Sequence, residues 1–173
     1  MTASAYDWTQ FTRRIFIQAE IERVFRAWAV PAEIIQWFVA QADHTAPDGA
    51  HRPADTIAIP GDAYAWRWHQ DAATQGEILR IVENTLLQFT FGKNNNGEPI
   101  IVTVTFQQNG DETIVELRQD NITDTPTDRV SWHLSCNLGW SFFMTNLKAW
   151  LEHGIDLREK NPERAYETRA ISL

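Results

Sequence analysis

The chain has 173 residues, of which 43% are hydrophobic, and its formal net charge is −8. This length and composition predict one folded domain with a full-sized core and disfavour a disordered protein. The acidic charge, with a pI near 5.0, disfavours nucleic acid and anionic membranes as partners, because both attract a basic protein surface.

The sequence also favours a cytoplasmic location. Cys136 is the only cysteine, so an internal disulfide is excluded and a reducing compartment is the simplest setting. The first residues, MTASAYDWTQF, contain neither the basic region nor the apolar core of a signal peptide. No apolar run approaches the ~18 residues of a membrane span. We therefore expect a soluble cytoplasmic protein that does not span a membrane.

The first third of the chain predicts one strand followed by two short helices. Residues 11–18 alternate between apolar and polar side chains, as a strand does. Residues 20–30 change to helical spacing, and Pro31 then suits the first position of a second short helix, which contains Trp37 and Phe38. Residues 40–60 are rich in turn-forming types and predict a loop between weak strands.

The middle of the chain predicts antiparallel strands. Residues 63–69, 77–83, 86–91, 100–107 and 113–119 have strand patterns, and with the weak strands before them they make roughly six strands after the short helices. The segments 74–76 and 92–97 are interpreted as turns, and 109–111 is a strong hairpin signal. Connections of hairpin size favour an antiparallel sheet, and the absence of alternating helices argues against a parallel one.

Residues 125–154 predict one long helix with a signal at each end. Thr125 suits the N-cap, Pro126 the first turn and Gly154 the C-terminal stop. About 28 residues at ~1.5 Å each give a length of about 42 Å. One face collects apolar side chains, namely Trp132, Cys136, Trp140, Phe143, Leu147, Trp150 and Leu151. This face needs a large apolar partner, so the predicted fold class is α+β, with a curved antiparallel sheet gripping a long C-terminal helix.

Aromatic residues of the sheet and the helix are candidates to line an apolar pocket. They are Trp66, Trp68, Phe89, Phe91, Trp140 and Phe143. Each would bury ~150–250 Å² if enclosed, so together they supply ample apolar contact for a ligand. The alternative is that the same side chains simply fill an ordinary core.

For two polar residues, Cys136 and Arg80, the sequence allows both a functional and a purely structural role. Cys136 would act as a nucleophile only if a neighbour such as His133, three residues earlier, lowered the pKa of its thiol; a buried inert cysteine is the commoner state. Arg80 shares a predicted strand face with Ile78 and Val82. If it points inward it needs a partner or a ligand carboxylate, and otherwise it lies on the solvent face.

No metal site and no cofactor are expected. The five histidines lack the spacings of metal motifs. His44 and His51 fall in the turn-rich segment and are interpreted as solvated surface. The sequence has no glycine-rich phosphate loop, no nucleophile elbow and no paired-carboxylate motif.

Four segments in a fixed order carry a family pattern. They are AEIERVF at 19–25 followed by Trp28, Pro31 and WF at 37–38; GEI at 76–78 with LQFT at 87–90; VTVTF at 102–106 with the Gly110 turn; and GW, NLK and LEHG at 139–140, 146–148 and 151–154. Together they resemble the activator of heat-shock protein 90 ATPase homologue family, within the START-like (SRPBCC, birch-allergen-type helix-grip) superfamily. The resemblance spans roughly residues 11–158, with a loosely matched segment between 38 and 61.

The resemblance implies a deep cavity between the long helix and the curved sheet, closed at one end by the short helices. Members of the superfamily bind lipids, sterols, polyketides or other apolar molecules there. We therefore expect residues 1–173 to form a single domain with its core at about 11–158 and an internal site for a small apolar or amphipathic molecule. The expected ligand-binding residues are Trp37, Phe38, Trp66, Trp68, Arg80, Phe89, Phe91, Cys136, Trp140 and Phe143.

Other functions stay open on the sequence. A few members of the superfamily catalyse cyclisation or hydrolysis, and such use of the pocket would require a positioned acid or base, for example His133 or Glu77. A protein-interaction module, such as a regulator of the heat-shock protein 90 ATPase, would require a large exposed patch. The namesake activator is a larger two-domain protein, so chaperone activation does not follow from the family name. A homodimer through a sheet edge or an exposed Trp is a further alternative.

Overall fold

The computed structural model describes residues 6–70, 72–161 and 164. Within these residues seven strands form one antiparallel sheet in the order β1-β7-β6-β5-β4-β3-β2. The strands are β1 Phe11–Ile17, β2 Gln41–Thr45, β3 Ala63–Arg67, β4 Ala73–Val82, β5 Leu86–Lys93, β6 Pro99–Asn109 and β7 Glu112–Asp120. The short helices α1 Ile21–Ala29 and α2 Pro31–Ile34 follow β1.

The long C-terminal helix begins with α3 Pro126–Asp128, continues through a π-helical segment Arg129–Leu134 and ends with α4 Ser135–His153. Thr125 Oγ1 accepts a hydrogen bond from the Asp128 backbone N–H at 3.3 Å, and Gly154 ends the helix with φ of 68°. Both predicted end signals are therefore confirmed.

The inner face of the sheet packs against this helix. Along β6, Val102, Val104 and Phe106 are buried while the residues between them are more exposed, as the predicted alternation requires. The helix contributes Trp140, Met144, Leu147 and Leu151 to the same core. The predicted helix-grip arrangement is confirmed. No helix among the residues described is both long and apolar enough to cross a membrane.

The structure corrects two sequence predictions around β2 and β4. The segment after α2 forms β2, which pairs with β3 and turns His44 inward opposite Tyr64, so His44 is buried while His51 is exposed. The predicted turn at 74–76 is wrong, because these residues belong to β4. Gly76 is needed there for close packing: a Cβ would lie 2.7 Å from the Tyr64 ring and 2.6 Å from Thr90 Oγ1.

The segment after the C-terminal helix folds back and, together with Asn146 of that helix, forms hydrogen bonds with the loop that follows α2. Asn146 Nδ2 donates to the Trp37 carbonyl at 2.6 Å, and Asn146 Oδ1 accepts from the Leu157 backbone at 2.7 Å. The Arg158 guanidinium, whose side chain is only 5% exposed, lies among several acceptors. These are the carbonyls of Ile35, Gln36 and Val39 and the carboxylate of Asp156, all within 2.7–3.0 Å. This network fixes the backbone on both sides of Phe38.

Candidate functional site

A pocket of about 190 Å³ opens between the C-terminal helix and the ends of β3 and β5. It is lined by Phe38, Trp68, Phe91, Ser135, Cys136, Gly139, Trp140 and Phe143. Phe38 and Trp140 are buried, whereas the other three aromatic residues are partly exposed. The pocket is therefore an apolar depression with an aromatic floor and a partly aromatic mouth.

Phe38 lies at the centre of the aromatic wall. Its ring stacks on Trp140 with centroids 5.1 Å apart and planes at 18°. It meets Phe143 edge-on at 4.9 Å and Trp68 edge-on at 5.3 Å. Trp140 also contacts Phe91 at 5.3 Å. Each such pair contributes ~0.5–1.5 kcal/mol beyond area burial, so the wall is held in one arrangement by the protein itself.

Gln119 of β7 forms hydrogen bonds with two tryptophans of the C-terminal helix beside the pocket. Its side chain is fully buried, and its Oε1 accepts from Trp140 Nε1 at 2.9 Å. Its Nε2 donates to the Trp132 carbonyl at 3.1 Å, within the π-helical segment. Sequence reasoning missed this residue. The available signal was its place on the same inward strand face as Val115 and Leu117, where a polar side chain needs a buried partner.

The π-helical segment fits against the strand next to the pocket. Gly92, which follows the pocket residue Phe91, has φ of 79° and lies directly under the Trp132 ring. A Cβ at Gly92 would lie 2.2 Å from Trp132 Cη2, so only glycine permits this contact. The wider π turn is closed by the Ser135 backbone N–H, which donates to the Val130 carbonyl five residues earlier, and Ser135 Oγ donates to the same carbonyl at 2.8 Å.

Cys136 is placed as an inert thiol. Burial raises the pKa of its thiol to about 11, so it stays protonated at neutral pH. His133 does not serve it as a base, because His133 Nδ1 lies 3.0 Å from the Trp8 carbonyl and Nε2 lies 2.8 Å from the Tyr6 hydroxyl. A carbonyl only accepts, so Nδ1 donates to it, and both ring nitrogens are engaged away from the thiol.

Among the described residues, the lining of the pocket is uncharged. It includes no Asp, Glu, Lys, Arg or His. Glu77 is exposed on the outer face of β4, and His133 is fully buried against the N-terminal segment. The two residues considered as examples of an acid or base thus lie outside the pocket.

Six of the ten residues expected at the site line this pocket, and they are Phe38, Trp68, Phe91, Cys136, Trp140 and Phe143. Trp37, Trp66 and Phe89 are buried in the core behind it. The inward orientation considered for Arg80 is wrong. A β-bulge between Ile78 and Arg80 shifts the strand, so that Arg80 pairs with Gln88 on the outer face and is exposed.

A second cleft, of about 420 Å³, lies on the outer face of β2, β3 and β4. Its lining includes Gln41, Asp43, Arg67, Thr74 and Gln75. This cleft is larger but is walled mainly by solvated side chains of the sheet. Ligand sites are mostly apolar with few polar groups, so the aromatic pocket is the better candidate despite its smaller volume.

Solved structures with the same fold include three clear neighbours. Protein SSP2350 from Staphylococcus saprophyticus is 23% identical, with a TM-score of 0.65 over 86% of this chain and 96% of its own. The Aha1 dimer from Colwellia psychrerythraea is 16% identical, with a TM-score of 0.67 over 84% of this chain and 97% of its own. DynU16, a protein of the dynemicin biosynthetic locus, is 15% identical, with a TM-score of 0.69 over 88% of this chain and 50% of its own. At these identities the likeness shows the fold alone.

Sequence comparison gives the family. No curated protein sequence matches the chain. The sequence model of the family described as Activator of Hsp90 ATPase homolog 1-like protein matches residues 18–152. This match includes the short helices, β2 to β7 and nearly all of the C-terminal helix. The chain belongs to the Activator of Hsp90 ATPase homolog 1-like protein family.

Proposed function

We propose that the protein is a cytoplasmic binder of a small, neutral, apolar molecule, which it holds in the pocket between the C-terminal helix and the sheet. The observation that carries this proposal is the aromatic wall around a space of about 190 Å³, in which none of the described lining residues is charged. Transfer of an apolar ligand from water into such a space is driven by burial of its surface. A charged ligand would lose its hydration there without gaining a counter-ion.

The volume of the pocket limits the size of the ligand. An apolar cavity of about 150 Å³ accepts benzene, whereas sites for drug-sized ligands are about 300–1,000 Å³. A pocket of about 190 Å³ therefore suits a molecule with one or two rings. A sterol or a long-chain lipid, which the family resemblance alone allows, would require the mouth to widen.

Gly139 offers a sharp test, because it lines the pocket and an added Cβ would meet no heavy atom within 4 Å. Calorimetric titration with 2-naphthol and indole, with cholesterol and oleate as large probes, should show binding of the small probes. Gly139→Leu should abolish it by filling the space. Gly139→Ala and Thr145→Leu, the latter on the exposed side of the helix, should retain it. Equal binding by wild type and Gly139→Leu, or binding of none of the probes, rejects the proposal.

Assembly of two chains is part of the same proposal. The Colwellia psychrerythraea neighbour is described as a dimer, and it shares the fold over most of both chains. We therefore include a homodimer among the states of this protein, to be tested by its mass in solution.

A further inference from the structure

His44 is a buried histidine whose ring has no hydrogen-bond partner. It lies on the inner face of β2, and only 4% of its surface is exposed. Among the residues that the structure describes, neither of its ring nitrogens forms a hydrogen bond. A neutral imidazole carries one donor and one acceptor, so burial removes both from water without compensation. Protonation would add a second donor and a full charge in the same place.

The two carboxylates that act on His44 through their charge do not bind its ring. Asp62 is fully buried, but it already accepts from the Arg52 guanidinium at 2.9 Å and from the Ile59 backbone N–H at 3.0 Å. Asp43 is exposed on the opposite face of β2. Burial outweighs the attraction of both carboxylates and lowers the pKa of His44. A protonated His44 is therefore a buried cation with no hydrogen-bonded anion in the described part of the chain.

The two elements that pack on β2 do not offer His44 a counter-ion either. Tyr64 lies directly opposite His44 on β3 and stays neutral, because burial raises the pKa of its hydroxyl. Arg67, at the end of β3, is exposed on the outer face. The helix α2 contacts β2, and its one charged residue, Glu33, is paired with Arg26 at 2.9 Å.

Residues 46–61 close the free edge of β2, and we call them the cover. The Arg52 backbone N–H donates to the His44 carbonyl at 2.9 Å, and the Ala58 N–H donates to the last carbonyl of α1 at 2.8 Å. Within the cover only Ala46 and Ala58 are buried. A segment with so little buried surface belongs to the least stable part of a fold and opens locally before the core does.

We propose that the cover is a proton-controlled element, which opens when His44 takes up a proton. With the cover closed, His44 is held neutral by burial; with the cover open, water hydrates the imidazolium and its pKa returns to about 6.5. The open state therefore binds more protons than the closed state. As the pH falls below about 6.5, the equilibrium moves toward the open state, and above that pH the cover stays closed.

An open cover would reach the aromatic cluster behind the pocket. Tyr64, opposite His44, stacks on Trp66 with centroids 3.9 Å apart, and Trp66 meets the pocket residue Phe38 edge-on at 5.4 Å. Two ring contacts thus connect the residue next to His44 with the wall of the pocket. The inference goes beyond the proposed function and does not require a ligand.

Amide hydrogen exchange of the full chain, followed by NMR at pH 7 and pH 5, tests the cover. After correction for the intrinsic effect of pH on exchange, the opening equilibrium at the amides of Arg52 and Ala58 should increase about five- to twentyfold at pH 5. Val104, in the middle of β6, should stay protected. His44→Leu should remove the increase. His51→Leu, which changes an exposed histidine of the cover itself, is the matched control and should keep it.

Three results of this experiment overturn the inference. They are an absence of the increase in wild type, an increase that persists in His44→Leu or disappears equally in His51→Leu, and a parallel increase at Val104, which would mean global unfolding. A second measurement needs no variant: the ring signals of His44 should titrate below about pH 6.5, and titration at or above that value also overturns the inference. None of these results depends on whether 2-naphthol binds, so this inference and the proposed function fail separately.

Discussion

The two halves of the C-terminal helix are built differently. The second half is enclosed by the sheet, with Met144, Leu147 and Leu151 buried, and polar bonds tie it to the segment that follows. The first half has the π turn, the apolar pocket on one side and the exposed side chains of Leu134, Leu138 and Phe142 on another. The second half of the helix therefore stabilises the fold, while the first half leaves apolar surface uncovered by the rest of the described chain.

The largest loss of stability is expected for Arg158→Ala, in the segment that follows the buried second half of the helix. It removes a buried cation that holds three backbone carbonyls and leaves the Asp156 carboxylate without its main partner. We expect a loss of ~3–5 kcal/mol in the free energy of unfolding. Urea denaturation measures it. Lys160→Ala, which removes an exposed partner of the same carboxylate, should cost less than about 1 kcal/mol; equal losses would contradict the assigned role of Arg158.

Gln119→Leu tests the hydrogen bonds between β7 and the first half of the C-terminal helix, which borders the pocket. The change leaves the Trp140 indole N–H buried without its acceptor and removes the side-chain bond to the Trp132 carbonyl. The expected loss is about 2–4 kcal/mol, with an altered near-ultraviolet circular dichroism spectrum because Trp140 loses its anchor. Gln88→Leu, on the outer face of the sheet, is the control and should cost well under about 1 kcal/mol. An unchanged spectrum in Gln119→Leu would show that Trp140 is held by ring contacts alone.

Acid should lower the stability of the fold, because it protonates the Asp156 carboxylate next to the second half of the helix. Burial raises the pKa of this carboxyl, but hydrogen bonds from Arg158, Lys160 and Asn146 outweigh burial and hold the pKa well below its ordinary value. Because the folded pKa lies below the unfolded value of about 3.9, the carboxylate stabilises the fold above about pH 4, and the contribution is lost as the pH falls further. Thermal melts should show a steeper decline below about pH 4 for wild type than for Asp156→Asn. Parallel curves would exclude this carboxyl as a source of the acid sensitivity.

The smallest effect on stability is expected for Gly139→Ala, in the first half of the helix beside the pocket. Gly139 lies inside a helix, where glycine costs ~0.5–1 kcal/mol relative to alanine, and an added Cβ would meet open space. Gly139→Ala should therefore raise the free energy of unfolding by about that amount while leaving room for a ligand. Guanidinium denaturation measures the gain. A loss of stability would mean that the helix wall at this position is already filled.

Much of the fold follows from local patterns in the sequence. The alternation along β6, the cap at Thr125 and the stop at Gly154 are properties of neighbouring residues, and each predicted its element. The aromatic side chains of the pocket could be predicted because large apolar residues on facing elements must meet. Which of them surround a space and which fill the core could not be predicted: Trp66 and Trp68 share one predicted strand face, but β3 ends at Arg67, so Trp66 is buried within the strand and Trp68 lines the pocket beyond it.

The remaining features depend on contacts between distant parts of the chain. The bulge that turns Arg80 outward results from pairing with β5. The inward glycine at Gly76 is explained only by Tyr64 and Thr90 on neighbouring strands. The burial of Arg158 has no local signal, because its carbonyl acceptors lie more than a hundred residues earlier in the chain. Such pairings have no local signature in the sequence.

The most direct test of the central claim is a titration of ¹⁵N-labelled protein with 2-naphthol, followed by NMR of the tryptophan indole N–H signals. The signals of Trp68 and Trp140, which line the pocket, should shift together and saturate. Those of Trp8, packed on His133, and of Trp150, near the end of the helix, should stay in place. No saturable shift, or a shift confined to Trp8 or Trp150, would contradict a ligand site in this pocket.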